Sequence, residues 1–590
     1  MLTECEFATL VALKKHGTLT QRNISALIGH SLGATNQSLA SLKQRELIDD
    51  AGITRDGEAA LEPYRVKNAV ILAAGFSSRL APISYANPKG TLVVKGETLI
   101  DRQIEQLRQA GITNISIVVG YKKEKFFYLE DKYGVSIIIN DEYQAKSNNY
   151  SLYLVREKLG NTYVCSSDNY FTINPFEEFV YTSYYAAVYH SGPTEEWCIA
   201  ATKGKNNLIT GVTRGGSDSW IMLGHAYMDS DFAKTFTAVL EEAHPHADTA
   251  GKLWEDLYLE HIERLPMVMR KYDSDVIWEF DSLDEIREFD IEFINNVQSN
   301  ILDNICSTLE CQREAISGIE PIKNGYTNLS FRFDIGADSY VYRHPGEGSE
   351  AIIDRKSETI AQKIGAELGI DGTFIHEDEE TGWKISHYIA DCVHFEYRND
   401  EHLAQAMELI RRLHTSGRQS EYIFDIHEDT KKQLGLMGNY RNHSFPDFDE
   451  LYELAEKLNE ILKAEGTPMV LCHNDFYDDN FLVGPNRTHL IDWEFSAMSD
   501  YASDLGVFIA CSDYSYEEGL KVFRMYFGRE LTKEELFHCV AYTCVVAFHW
   551  LIWALYKESI DEPVGELLYF YYKHTKLFGH KAMALLEGME

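Results

Sequence analysis

A multidomain α/β protein is the architecture that this sequence predicts, and three observations predict it. The 590 residues exceed what a single hydrophobic core serves, which sets an expectation of two to four domains. From about Lys67 the chain reads as strand, Gly-rich turn and helix, the rhythm of a parallel sheet covered by helices. Before that point lie short helical periodicities, and after about residue 292 a few strands give way to a mostly helical region. The expected domains are therefore 1–66, 67–292 and 293–590.

Composition narrows the function classes. With 45% hydrophobic and 25% charged residues, the chain is an ordinary globular one. A net charge of −37 opposes broad contact with nucleic acid or anionic membranes, yet it is compatible with nucleotides whose phosphates are neutralised by a metal. The 10 cysteines are scattered, without a C-x-x-C pair; Cys306 and Cys311 stand nearest to each other, and a structural zinc would need two further ligands. Reduced thiols in a cytoplasmic protein are the expectation. The N-terminal stretch has acidic residues within its apolar run and no small-residue cleavage site, unlike a signal peptide. Val540 to Tyr556 is the most apolar run. It is shorter than the roughly 20 residues that span a bilayer and contains His549, so a buried core helix and no membrane contact are expected.

In residues 1–65, Phe7, Leu10, Val11 and Leu13, then Ile24, Ala26, Leu27 and Ile28, then Leu39 and Leu42 mark three helices, and Glu46-Leu47-Ile48-Asp49-Asp50 leads through Gly52 to Ile53-Thr54 and Asp56-Gly57 as a small hairpin. This segment resembles the winged helix-turn-helix of bacterial regulators. Its seven basic and eight acidic side chains leave a charge of −1. Counterion release on DNA would be small, so dimerisation or scaffolding is favoured over specific DNA binding.

The middle region carries Leu72-Ala73-Ala74-Gly75-Phe76-Ser77-Ser78-Arg79 and then Asn87-Pro88-Lys89. Gly75 after a buried strand lets backbone N–H groups approach a nucleotide. Arg79 offers a planar fork to a triphosphate, and Lys89 a point charge. These residues resemble the nucleoside triphosphate transferase family, with its Rossmann-like α/β fold, and more closely the bacterial CTP:phosphocholine cytidylyltransferases. Ser77 stands where the family has a second glycine. The resemblance implies that Leu72, Ala73, Ala74, Gly75, Ser78 and Arg79 bind CTP. It further implies that Lys89 and Arg79 act on its phosphates, that Asp168 and Asp281 hold Mg2+, and that Trp197 and Trp254 contact choline.

The most specific motif is His473-Asn-Asp475-Phe-Tyr-Asp-Asp-Asn480, followed by Ile491-Asp492-Trp493-Glu494. In kinase chemistry such an aspartate orients and deprotonates the acceptor hydroxyl, while the asparagine and the later aspartate bind Mg2+. That assigns catalysis to Asp475 and metal binding to Asn480 and Asp492. The segment resembles the choline/ethanolamine kinase branch of the aminoglycoside phosphotransferase-like family, a bilobal α+β fold. The resemblance implies an ATP site built from Asn324, Thr327, Asn328, Arg343 and Glu358. It also implies a choline site drawn from Trp493, Glu494, Asp500, Trp550 and Trp553, since a quaternary ammonium is held by ring faces rather than hydrogen bonds.

Together these resemblances imply a bifunctional enzyme that uses ATP, CTP, choline and phosphocholine with Mg2+ in both sites. Its product would be CDP-choline for decorating bacterial surface glycans with phosphocholine. Ethanolamine or another amino alcohol as acceptor, sugar-phosphate nucleotidyl transfer, and a choline-metabolite-sensing regulator stay open on the residues alone. So does a homodimer.

Overall fold

Thr3, Thr20 and Ser31 each accept a hydrogen bond from the backbone N–H three residues on, and so start α1 (Glu4–His16), α2 (Gln21–Ile28) and α3 (Leu32–Gln44). A hairpin of β1 (Ile48–Asp49) and β2 (Gly52–Ile53) comes next. Where the sequence was expected to run the hairpin on to Asp56-Gly57, Thr54 instead caps a fourth helix, α4 (Arg55–Leu61), with Asp56 and Glu58 in its first turn. The computed structural model describes all residues except Lys203, Lys205, 323–327, 347–353, 438–444, 561–563 and 589–590. It divides into two compact units, Met1–Ser307 with Cys311–Glu314, and Ala315–Glu590 with Thr308–Glu310.

In the first unit the core of α1–α4 is closed by residues from far along the chain. Phe7 and Tyr64 pack on Tyr181, Phe179 joins the same core, and the Arg65 guanidinium lies over Phe179 and pairs with Glu178. The N-terminal helices are thus fastened to the sheet-bearing part of the unit. That part contains, in order, β3 (Asn68–Ala73), α5 (Leu99–Gln109), β4 (Ile115–Val119), β5 (Ser136–Ile139), β6 (Thr162–Ser166), β7 (Asn169–Phe171), β8 (Tyr184–Ala201), β9 (Ile209–Met228), α6 (Trp254–Glu260), β10 (Val268–Tyr272) and β11 (Ile277–Glu279). The main sheet runs β10-β8-β9-β6-β3-β4-β5. A parallel sheet was expected, and β6, β3, β4 and β5 are parallel. The sheet as a whole is mixed, because β8 and β9 form a long antiparallel ribbon and β9 runs antiparallel to β6. Strands β3, β4 and β6 are almost wholly buried, which accounts for their continuous apolar runs. A helix that precedes the second unit, α7, spans Asn300–Leu309.

The second unit opens with β12 (Ile316–Pro321), β13 (Asn328–Ile335), β14 (Asp338–Pro345), α8 (Arg355–Glu367), β15 (Phe374–Glu377) and β16 (Lys384–His387); its antiparallel sheet is ordered β12-β13-β14-β16-β15. The remainder is mainly helical, with α9 (Phe448–Glu465), α10 (Ala502–Ala510), α11 (Lys533–Ser559) and α12 (Leu567–Glu587). Among them are set the pairs β17 (Val470–Cys472) with β20 (Ala497–Ser499), and β18 (Phe481–Val483) with β19 (Thr488–Leu490). At 27 residues α11 is longer than its apolar run suggested and is apolar enough to cross a membrane, but 89% of its most apolar window is buried inside the protein. It is the core helix of this unit.

Trp493, expected beside a bound cation, is instead a core residue. Its ring is fully buried, packs edge-on to His473 at 4.8 Å, and donates from Nε1 to the Leu490 carbonyl at 3.3 Å. Gly365 on α8 exists to admit that ring, since a Cβ there would lie 2.4 Å from Trp493 Cζ2. Gly365→Ala should destabilise the second unit by about 1–3 kcal/mol, read in urea unfolding, while the unfolding transition of the first unit stays unchanged.

Candidate active sites

The geometry of the first site arises from strand register. Strands β3 and β6 are parallel neighbours with Leu72 opposite Ser166, so the chain leaves both at the same sheet edge, into the Gly75 turn and to Asp168. Open α/β sheets bind ligands at such carboxyl edges. Antiparallel pairing of β11 with β7 sets Glu279 opposite Asn169, which carries Glu279 and Asp281 to the same place. A cleft of about 490 Å³ opens there, lined by Leu72, Ala73, Ala74, Gly75, Arg79 and Lys89 among others. Ser77 lines it and Ser78 does not; Ser78 begins a short 3-10 turn. Ser77 takes the left-handed conformation that glycine adopts without cost, at φ 55° and ψ 52°. The turn is braced by Phe76, which stands edge-on to Tyr121 at 4.7 Å and stacks on Tyr85 at 6.1 Å.

Lys89 is the centre of this cleft. Its Nζ lies 2.6 Å from Asp168 and 2.9 Å from Asp281, and Arg79 reaches Asp281 at 3.0 Å. Burial alone would depress the Lys89 ammonium, but Asp168 and Asp281 carry it well above its ordinary range. Asp168 is lowered in turn by Lys89 against the effect of burial. Glu279, which had no signal in the sequence, completes a cluster with Asp168 and Asp281 whose carboxylate oxygens lie within 4.8 Å of one another. Burial and Asp168 push Glu279 up to about 8. Asp168 Oδ1 is buried without a hydrogen-bond partner. Three converging hard oxygen donors, one of them unsatisfied, fit a divalent cation.

Trp254 lines the cleft and stacks on Tyr185 at 5.7 Å; Glu255 beside it accepts from the Tyr185 hydroxyl at 3.2 Å and from Asn148 Nδ2 at 3.4 Å. Burial raises Glu255 to about 7. Trp197 does not line the cleft. It sits on β8 opposite Arg214 and packs, partly buried, on the core beneath. Its neighbour Glu196 feels Asp281 and Arg79 instead.

In the second unit, pairing of Phe481 with Leu490 sets Asn480 beside Ile491, whose N–H donates to the Asn480 carbonyl at 3.0 Å. Asp492 comes next at φ 64°. Asn480 Nδ2 donates to the Asp475 carbonyl at 2.7 Å and carboxylate at 2.8 Å, so Asp475, Asn480 and Asp492 converge. Burial and Asp492 push Asp475 up to about 7 and Glu494 up to about 8. Carboxylates crowded until they resist ionisation, beside an amide oxygen, make a donor set suited to a divalent cation.

Arg343 donates to Asp492 at 2.9 Å and to Glu377 at 3.1 Å, and pairs with Glu358. Glu358 is fully buried, so this is no surface ion pair; Arg343 and Lys384 hold it well below the ordinary range although burial opposes them. Glu377, unforeseen in the sequence, is raised by burial to about 7. Asn328 Nδ2 reaches Glu494 at 3.5 Å. Asn324 and Thr327 lie outside the described residues.

Asp500, expected near the cation, has a structural role instead. It accepts from the Ala502 N–H at 2.9 Å and pairs with His538, which also meets Glu465. Trp550 packs within the core, edge-on to Phe495 at 6.1 Å and to the partly buried Trp553 at 5.5 Å, and lies 6.4 Å from Tyr571. Tyr571 and Tyr477 both feel the Asp475 charge. Neither tyrosine was singled out in the sequence, although Tyr477 lies inside the kinase motif.

A model of the MobA-like NTP transferase domain matches residues 69–171, and one of the phosphotransferase enzyme family matches 318–537. The chain therefore joins two transferase domains. It is 34% identical to the choline-phosphate cytidylyltransferase of Streptococcus pneumoniae over 228 residues, 39% of this chain and 98% of that protein. It is 32% identical to the 2-aminoethylphosphonate cytidylyltransferase of Lancefieldella rimae over 236 residues, 39% of this chain and 95% of that protein. By these matches the chain belongs to the cytidylyltransferase family. The crystal structure of choline kinase LicA from Streptococcus pneumoniae is 23% identical, with a TM-score of 0.41, covering 48% of this chain and 98% of that one.

Two outcomes are expected from these geometries. Ser77→Gly should retain nucleotidyl transfer and stabilise the first unit by up to about 1 kcal/mol in urea unfolding, because the left-handed conformation is released from strain. Asp475→Asn should abolish kinase activity yet raise the Tm of the second unit at neutral pH. A carboxyl whose folded pKa lies above its unfolded value costs stability once pH exceeds the unfolded value, and that cost is complete above about 7. The Tm difference should accordingly shrink as pH falls below about 7 and vanish only below about pH 3, where the carboxyl is protonated in the folded and the unfolded chain alike.

Proposed function

We propose that the chain makes CDP-choline in two steps: the second unit phosphorylates choline with ATP, and the first transfers CMP from CTP to the resulting phosphocholine. The observation that carries this reading is that Glu255, which accepts from the Tyr185 hydroxyl, and the stacked pair of Tyr185 and Trp254 line the same cleft as Lys89, Asp168 and Asp281. Ring faces and an anion suit a methylated ammonium, and the Lys89 end suits phosphate. The name of the related choline-phosphate cytidylyltransferase supports the same assignment.

In the second unit Asp475 accepts the choline hydroxyl proton as the oxygen attacks the γ-phosphorus and ADP leaves. Arg343, aligned by Glu358, meets the ATP phosphates with Asn328, Asn324 and Thr327. Trp550, Trp553, Tyr477, Tyr571 and Glu494 form the cation wall. In the first unit a phosphate oxygen of phosphocholine attacks the CTP α-phosphorus and pyrophosphate leaves. Lys89 and Arg79 stabilise the charge that develops, and Leu72 to Gly75 and Ser77 cradle the nucleotide. Mg2+ is the ion assigned to both sites, held by Asp168, Asp281 and Glu279 in one and by Asn480 and Asp492 in the other; when bound it neutralises phosphate charge. Residues 1–66 are assigned as a winged helix-turn-helix that serves assembly, ahead of transferase domains over 67–292 and 293–590, in a cytoplasmic protein.

Mass spectrometry of products from choline, ATP, CTP and Mg2+ tests this. The intact chain should yield CDP-choline. Lys89→Ala should accumulate phosphocholine, with cytidylyl transfer lowered by about 10²–10³. Asp475→Ala should leave choline untouched yet convert supplied phosphocholine. Faster turnover of 2-aminoethylphosphonate or phosphoethanolamine than of phosphocholine would overturn the substrate assignment. CDP-choline formation by neither unit would overturn the reading altogether.

A further inference from the structure

The turn that ends α7 has chemistry independent of either transferase site. Helix α7 closes at Leu309, Glu310 adopts a left-handed φ of 51°, and the Cys311 N–H donates back to the Cys306 carbonyl at 3.2 Å. This is the six-to-one hydrogen bond of a Schellman turn, in which the side chain two residues past the cap folds over the side chain three residues before the helix end. Apolar side chains commonly fill those two positions; here both are cysteines. The Cys306 thiol feels that of Cys311. Both are free and partly exposed, whereas Cys165, Cys198, Cys472, Cys511, Cys539 and Cys544 are buried. Both also belong to the first unit.

We infer that Cys306 and Cys311 form an oxidisable dithiol, a modification site at which a peroxide converts the pair to an intramolecular disulfide. A turn of this kind brings the side chains at its two ends toward each other, which is what a disulfide between them requires. In the first step the Cys311 sulfur attacks one peroxide oxygen, giving a sulfenic acid and one water. The Cys306 sulfur then displaces the sulfenic oxygen as a second water and closes the S–S bond. Two thiols are oxidised, one peroxide is reduced, and the two thiol protons end in water. Cys306 is the second to react, because burial and the neighbouring Cys311 push its thiol up to about 11. In a reducing compartment such a bond is transient, and a dithiol reductant reverses it.

The test is peptide mapping of the full-length protein after hydrogen peroxide and alkylation with iodoacetamide. Residues 288–313 form one tryptic peptide that holds both thiols and no internal Lys or Arg. After oxidation it should be lighter by two hydrogens and accept no alkyl group; after dithiothreitol it should accept two. Cys306→Ser should lose the disulfide and accumulate the sulfenic form at Cys311, and Cys311→Ser should stay reduced under the same dose. Two alkyl groups on the oxidised wild-type peptide would overturn the inference, as would a bond mapped to Cys5 or Cys392. The readout is independent of which substrates the two transferase sites accept.

Discussion

Each site depends on a cationic side chain held among carboxylates where water is scarce. Lys89 stands between Asp168 and Asp281, and Arg343 among Glu358, Glu377 and Asp492. Neither arrangement is a device for stability, because desolvating several acids together costs more than one cation returns. The residual strain is visible in Glu279, Asp475 and Glu494, whose carboxyls are pushed toward neutrality. Sites that must receive a polyphosphate with its metal store this kind of frustration, and incoming cations relieve it. The net charge of −37 therefore has a local meaning as well as a global one.

Topology delivers these residues. Parallel strands β3 and β6 end at one edge, and the β7–β11 pair brings Glu279 and Asp281 to it from a distant part of the chain, with Asn169 and Glu279 110 residues apart. In the second unit the β18–β19 hairpin achieves the equivalent over a short span, joining Asn480 to Asp492. The long β8–β9 ribbon, invisible as such in the periodicity, makes the main sheet mixed.

Catalytic motifs were legible because their chemistry is local: a strand, a turn and a charge at set spacing identify Gly75, Lys89, Asp475, Asn480 and Asp492 without any long-range knowledge. The family resemblance rested on those same residues. Aromatic side chains were not legible in this way. Trp197, Trp254, Trp493, Trp550 and Trp553 look alike in sequence, since a tryptophan serves a core and a cation equally well. Packing alone distinguishes them, sending Trp493 into the core against Gly365 and Trp254 to the cleft wall.

By itself, then, the order of residues determined several of the strands and helices, where each candidate loop lies and which reactions those loops suit, because hydrogen bonding and side-chain periodicity act over a few residues. Only the tertiary structure decided that Glu279 joins Asp168, that Glu255 and Tyr185 share a cleft with Lys89, that Asp500 serves His538 and that Glu358 is buried. Those facts arise from strand pairing and core packing between segments as far apart as Lys89 and Asp281, 192 residues along the chain, and no local pattern records such pairings.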